Sequence, residues 1–507
     1  MECKITTQSV NICEGVHCQT VEQPIDAEFT MPDYCAPIGR ILKCKLRPMI
    51  GTKSVNGSGV TIEGVTNISV YYTGADNERL NCYEYSVPFS KNIDAGVSGD
   101  GTVTVEAMPD YANCRASGER RFDVHATIKL KICTRDIRTT EIVTDIDEPS
   151  VQQLRTAMKS TSCVSTGEKY LIIGDEIELP DDKPPIGSLL RHDERIVIDE
   201  CKMVSNKAVV KGNMLIDIVY LDDSDEMRMY NYSLPISQIV DLDNTNEDCD
   251  VSVNVVICSI DLKPRTDMNG EVRSLSVGGK ICVCVSAFCN NDVPGLLDAY
   301  STTNLLEFDK SDVSFDKLVM SINESFVCKK ALDFAPGLVD RVLDCWCETR
   351  VMSASVDGDS VKINGGVNVC IMVSDESGAI NYYERNVDFD YQSRLPKPVA
   401  SGRVEPTVTA VTSDCKKDGS GVELKANLNI RADVIDTTHA QLITSAVLTD
   451  NKHTETFAPL VIYYAEDGEK VWDIAKRYNT SVDELSKLNG IDSDHETAKM
   501  MLLIPSV

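Results

Sequence analysis

The chain has 507 residues, with 79 acidic against 50 basic side chains and a formal charge of −29. Such a surface repels phosphate backbones and anionic lipids, which excludes a nucleic-acid reader. A hydrophobic content of 42% is that of a globular protein, and the length suffices for several ordinary cores. No run of about 18 apolar residues offers a membrane insertion segment. Met1-Glu2-Cys3-Lys4-Ile5-Thr6-Thr7 lacks the basic and apolar stretches of an export signal, so a cytosolic start is expected. Reduced thiols are then expected for the twenty cysteines. Cys282-Val283-Cys284 and Cys345-Trp346-Cys347 each put two thiols on one strand face, but two ligands make half a zinc site. Structural thiols, no metal and no cofactor are the expectation.

Taken in chain order, the sequence repeats. Ala36-Pro37-Ile38-Gly39 recurs as Pro184-Pro185-Ile186-Gly187 and more loosely as Ala335-Pro336-Gly337-Leu338, with Pro37, Pro185 and Pro336 set 148 and 151 residues apart. A strand that meets a glycine follows each (Gly64, Gly212, Gly365), then a tyrosine pair (Tyr83 and Tyr85, Tyr230 and Tyr232, Tyr382 and Tyr383). Each copy closes on a long alternating segment. In the first, Phe122, Val124, Ala126, Ile128, Leu130 and Ile132 share a face opposite Asp123, His125, Lys129 and Lys131. In the second, Leu275, Val277, Ile281, Val283 and Val285 oppose Ser276, Lys280, Cys282 and Cys284; the third runs alike from Val422 to Val434. Strict alternation means a β-strand with one buried and one wet face.

The expected architecture is multidomain: three mainly-β repeat domains, sandwich- or barrel-like, followed by a small βααβ domain. An N-terminal segment, 1–27, is read as an added strand. The repeats occupy 28–137, 168–290 and 324–436. A helical linker is expected at 138–167, because Glu148-Pro149-Ser150-Val151-Gln152-Gln153-Leu154 offers a proline start and helix formers. Further linkers fall at 291–323 and, polar, at 437–459. The last domain spans 460–507. There Val471, Ile474, Ala475 and Tyr478 share one helical face. Ser481 is read as the cap of a second helix with Glu484 three residues on, and Leu485 and Leu488 are read as facing inward, with Asn489-Gly490 as its end.

The order strand, helix, helix, strand, with G-x-x-x-W-x-I-A, L-x-x-L-N and a terminal L-x-I-P, resembles a LysM domain. That resemblance implies a shallow groove for N-acetylglucosamine polymers between two loops, here Asp467, Gly468, Glu469, Lys470 and Val471, and Asn489, Gly490, Ile491 and Asp492. Lys499-Met500 stands where the family commonly has Gly-Gln, and Glu469-Lys470 where it has Asp-Thr or Asp-Ser. Three β-repeats ahead of one LysM domain further resemble the SipL-type spore-coat morphogenetic proteins of Clostridia, whose repeats are SPOCS domains. The resemblance implies a scaffold of spore coat morphogenesis, acting in the mother-cell cytoplasm and then at the forespore surface. It links the coat basement layer to that surface. The implied partners are stage IV sporulation protein A, a coat-base ATPase, and other coat proteins, through the LysM domain and β-repeats; the alternative is a cell-wall or cortex protein that binds peptidoglycan.

An enzyme is not expected. The sequence has no G-x-x-x-x-G-K-[ST], H-E-x-x-H or G-x-S-x-G, and its six histidines are scattered. His125 reads as solvated on a wet strand face. Asp222-Asp223-Ser224-Asp225-Glu226 reads as a hairpin tip, since it lacks the ordered calcium loop.

Overall fold

The computed structural model describes residues 4–75, 79–96, 102–399, 402–452, 460–492, 496–497 and 499–505. The first six strands are β1 (Lys4–Thr30), β2 (Ile38–Asn56), β3 (Gly59–Gly74), β4 (Leu80–Asp94), β5 (Thr102–Gly118) and β6 (Arg121–Asp147). They make an antiparallel meander, β2-β3-β4, and a second sheet in the order β1-β6-β5. The next six are β7 (Val151–Glu178), β8 (Ser188–Val204), β9 (Lys207–Leu221), β10 (Met227–Asp241), β11 (Asp250–Thr266) and β12 (Val272–Ser301). Their sheets run β10-β9-β8 and β11-β12-β7. Then β13 (Asn304–Leu332), β14 (Arg341–Ser374), β15 (Ile380–Val399), β16 (Gly402–Asp418) and β17 (Gly421–Lys452) give β14-β15 and β13-β17-β16. The molecule is thus mostly β. Each pair of sheets encloses its own apolar cluster, and we call each pair a unit.

The alternation read along β6, β12 and β17 is what fills these clusters. Phe122 to Ile132, Leu275 to Val285 and Val422 to Val434 turn their apolar members inward to near-complete burial. The strand glycines have a steric cause. A Cβ on Gly64 would strike the Met49 carbonyl of β2 and one on Gly365 the Arg350 carbonyl earlier in β14, and each would meet the ring of its cross-strand partner, Phe89 or Phe389. The loops around Pro37 and Pro185 are clamped by arginines that sequence spacing did not single out. Arg120 donates to the carbonyls of Pro32, Asp33 and Cys35, and Arg273 to those of Pro180 and Lys183. The acidic run at 222–226 is a turn between β9 and β10, where Asp222 Oδ1 accepts the backbone N–H groups of Ser224 and Glu226 at 2.9 and 3.0 Å.

The meanders β2-β3-β4 and β10-β9-β8 and the two-stranded β14-β15 meet at one point. Tyr71 and Leu80, Leu190, Val219 and Leu221, and Trp346, Cys370 and Met372 form one shared apolar cluster. Around it, charges cross every seam. Lys45 pairs with Asp193 and Arg47 with Glu194 between the first and second units. Arg191 clasps Asp344 bidentately at 2.8 and 2.9 Å between the second and third. Lys43 pairs with Glu384 between the third and first. Buried ions survive only with such partners, because desolvation otherwise costs several kcal/mol each.

Several expectations are corrected. No helix bridges the first two units: β6 runs to Asp147 and β7 begins at Val151, a tight turn apart. Pairing of β7 with β12 along its whole length, from Ser301↔Val151 to Ser274↔Glu178, overrides the helix propensity of Gln152 to Met158. The boundary at 27/28 falls within β1, which pairs continuously with β6. The linkers at 291–323 and 437–459 are largely strand as well, since β13 pairs with β17 from Asn304↔Lys452 onward; residues 453–459 lie outside the described residues. Nor are all thiols reduced. Cys18 is disulfide-bonded to Cys133 and Cys249 to Cys289, at Cα separations of 4.1 and 4.4 Å. Cys18 and Cys133 are direct cross-strand partners, and Cys249 precedes β11 opposite Cys289 after β12's Phe288, so register brings together thiols distant in sequence.

Candidate functional site

The C-terminal domain comprises β18 (Leu460–Ala465), β19 (Glu469–Lys470), α1 (Val471–Arg477), α2 (Val482–Asn489), β20 (Glu496–Thr497) and β21 (Met500–Pro505). β18 pairs with β21 and β19 with β20. Val471, Ile474 and Ala475 of α1 are buried as their spacing predicts. On α2 the inward face carries Leu485 and Ser486, while Leu488 is 48% exposed, contrary to expectation. Ser481 occupies the N-cap position, yet its side chain makes no capping hydrogen bond.

The two loops are anchored to the same C-terminal segment. In the first, Gly468 (φ 85°) donates its N–H to the Thr497 carbonyl at 2.9 Å, and Thr497 Oγ1 donates back to the carbonyls of Glu466 and Glu469. Glu469 accepts from the Glu466 N–H at 3.0 Å and from the Tyr463 hydroxyl at 2.8 and 3.0 Å. The Glu466 N–H, then the Tyr463 hydroxyl, hold its carboxyl below the usual carboxylate range. In the second loop Asn489 donates to the carbonyls of Leu485 and Leu503 and accepts the Leu503 N–H at 2.7 Å. Gly490 then turns the chain at φ 64° as the left-handed C-cap of α2.

The nine residues expected at the groove therefore divide. Val471 is core, Ile491 packs against the core, and Glu469 and Asn489 spend their polar atoms on the loops themselves. Asp467, Lys470 and Asp492 are exposed, with the backbone of Gly468 and Gly490 beside them. Among the described residues a ligand meets mostly short backbone and opposed charges there, and no aromatic stripe.

A second surface of this domain was not legible from spacing. Trp472 donates its indole N–H to Asp298 of β12 at 3.0 Å, and Lys476 donates to both oxygens of the same carboxylate at 2.6 and 2.7 Å. Burial raises the Asp298 pKa, but Lys476 and Trp472 more than offset it, and the carboxyl lies below its ordinary range. Tyr300 packs into the domain's own apolar cluster and donates its hydroxyl to the Thr480 carbonyl. The domain is thus fastened to the β body by α1 and the turn after it.

Comparison with known families identifies these parts. The family "SipL, SPOCS domain" matches residues 37–117 and 185–264, and the LysM domain matches 465–505. The first two segments cover β2 to β5 and β8 to β11, each a meander with the strand that follows it. No curated protein and no solved structure matches the chain. Both families are non-catalytic, and they tie the chain to sporulation, the spore coat and peptidoglycan-binding modules. With SPOCS segments in its β body and a LysM domain at its end, the chain matches a SipL-type protein.

Proposed function

We propose that the protein is a non-catalytic scaffold of spore coat morphogenesis, built on three SPOCS-like units, that ties the coat basement layer to the forespore surface. The observation that carries this reading is the clamp of Asp298 and Tyr300 on the LysM domain, which lets a load on one reach the other. The groove supports a protein partner over a glycan. Residues 461–507 hold nine acidic and five basic side chains, and the exposed loop residues include Asp467 and Asp492. Peptidoglycan is itself anionic, so complementarity is poor, although salt screens such repulsion beyond about 8 Å. Stage IV sporulation protein A and other coat proteins are the proposed partners, met first in the mother-cell cytoplasm.

The LysM match itself favours a second reading, in which the same loops bind peptidoglycan. One experiment separates the two. The full-length chain is offered purified peptidoglycan in a sedimentation assay and immobilised stage IV sporulation protein A in a capture assay. Capture without sedimentation is the expected result. Sedimentation without capture would replace the scaffold by a wall binder.

A further inference from the structure

We propose that the seam between the first and second units is a metal site, in which Cys282, Cys284 and Glu168 bind a thiophilic divalent cation, zinc by preference. The three residues stand together by register. Glu168 and Tyr170 of β7 lie directly across from Cys284 and Cys282 of β12. The two sulfurs are 3.6 Å apart, and one carboxylate oxygen of Glu168 and both sulfurs all lie within 4.8 Å of one another. Tetrahedral zinc with Zn–S bonds of about 2.3 Å spaces two thiolates about 3.8 Å apart, so the pair already has the bite of a chelate.

The seam also supplies room and enclosure. A small pocket opens over the two thiols, lined from the first unit by Lys53 and Thr104 and from the second by Tyr170 and Cys258. Cys258 sits where β11 bulges against β12, between Ile257 and Ser259, a device that re-aims a side chain. Cys258 lines the pocket but stands outside the three-ligand cluster, so the fourth position falls to water from the pocket. The face carrying Cys282 alternates with the core face of β12 and would be wet in an isolated unit. Here Cys282 is buried, because the first unit covers it.

Charge selects the ion. Lys53 reaches across the seam to pair with Oε1 of Glu168 and donates to the Val103 carbonyl at 2.7 Å, which leaves the second carboxylate oxygen for a metal. Two thiolates, one carboxylate, one ammonium and one divalent ion sum to zero. Binding displaces one proton from each thiol to solvent, so uptake strengthens as pH rises. Sulfur ligands favour zinc over magnesium or calcium, whose ligands are oxygens.

The test is a Co²⁺ titration of the full chain, stripped with chelator and kept in a non-thiol reductant. The expected result is one equivalent bound with a sulfur-to-cobalt charge-transfer band and tetrahedral visible bands, bleached by Zn²⁺. Cys282→Ser and Cys284→Ser should each abolish the band, Glu168→Gln should shift it, and Cys201→Ser should leave it unchanged. Circular dichroism reports whether the serine variants fold. Should they not, X-ray absorption of the zinc-loaded wild type decides, with two sulfurs at about 2.3 Å expected. No band in the reduced wild type, a band indifferent to Cys282→Ser in folded protein, or a zinc shell with any sulfur count other than two would overturn the proposal.

Discussion

Tyr300 of β12 stands edge-on to Trp472 of α1, with ring centroids 5.1 Å apart and planes at 70°. One residue belongs to the β body and the other to the LysM domain, so the two share an aromatic contact beside a buried hydrogen bond. The polar 437–459 stretch suggests an independent domain on a linker, but the packing makes its stability depend on a residue well over a hundred positions upstream.

That dependence can be measured. Tyr300→Ala removes the ring from the LysM cluster and should cost about 3–5 kcal/mol of local stability, whereas Tyr300→Phe loses only the hydroxyl bond to Thr480, about 1 kcal/mol. Hydrogen exchange along α1 in the two variants checks the ranking. Equal protection in both would mean that the ring is not the anchor.

The seam of meanders should respond to alkali. Burial alone would lower the His192 pKa, but Glu194 and Glu84 more than reverse this and push it up to about 9. His192 Nδ1 lies 2.6 Å from Glu194, whose own pKa is lowered to about 2 against burial, chiefly by Arg47 and then His192. A raised histidine contributes fully below its unfolded value of about 6.5 and loses that contribution as pH climbs through about 9. Glu194 contributes above about 4.5 and loses it as pH falls toward 2. Urea midpoints from pH 6 to 10 should therefore decline for the wild type, and His192→Gln should flatten that limb.

In air-oxidised, denatured protein Cys18, Cys133, Cys249 and Cys289 should resist alkylation and appear as two cross-linked peptides, while Cys370 and Cys415 label freely. Closing a loop of 115 residues constrains the unfolded chain, so reduction of Cys18–Cys133 should cost about 2–5 kcal/mol. Calorimetry with and without reductant reads this out. Such bonds persist only under oxidising conditions, so protein taken directly from a reducing cytosol should label at all four.

Within the groove, Lys470→Glu should change stability by less than about 0.5 kcal/mol and act on partner capture alone. Ile491→Ala should cost about 2 kcal/mol, because its side chain packs on the domain core. Thermal melts alongside the capture assay distinguish a binding residue from a packing residue.

Why some of this was legible is a matter of range. The period of two in β6 and the helical spacing of Val471, Ile474 and Ala475 are local and survive in the structure. Val151 to Met158 lost its helix because its partners, Ser301 to Val293, lie far downstream and no local pattern announces them. Helical spacing points Leu488 inward, but the buried face of α2 carries Leu485 and Ser486, and Asn489 turns its amide to the Leu503 backbone. The exposed loop positions were legible from the LysM pattern; the internal duties of Glu469 and Asn489 were not, since they depend on strands that close the domain from its far end. The clamp at Asp298 and Tyr300 carries no sequence signature.

The placement of β1 has a consequence for synthesis. This 27-residue strand bonds within its sheet only to β6, and Lys4 faces Asp147, so the nascent chain extrudes it long before its partner exists. Until then it presents an unpaired edge, the kind of surface through which strands aggregate. The same wait recurs for β7, which needs β12, and for β13, which needs β17. Pairing of the three long opening strands therefore has to wait for β6, β12 and β17 in turn, and the LysM domain is translated after the side chain on which it docks.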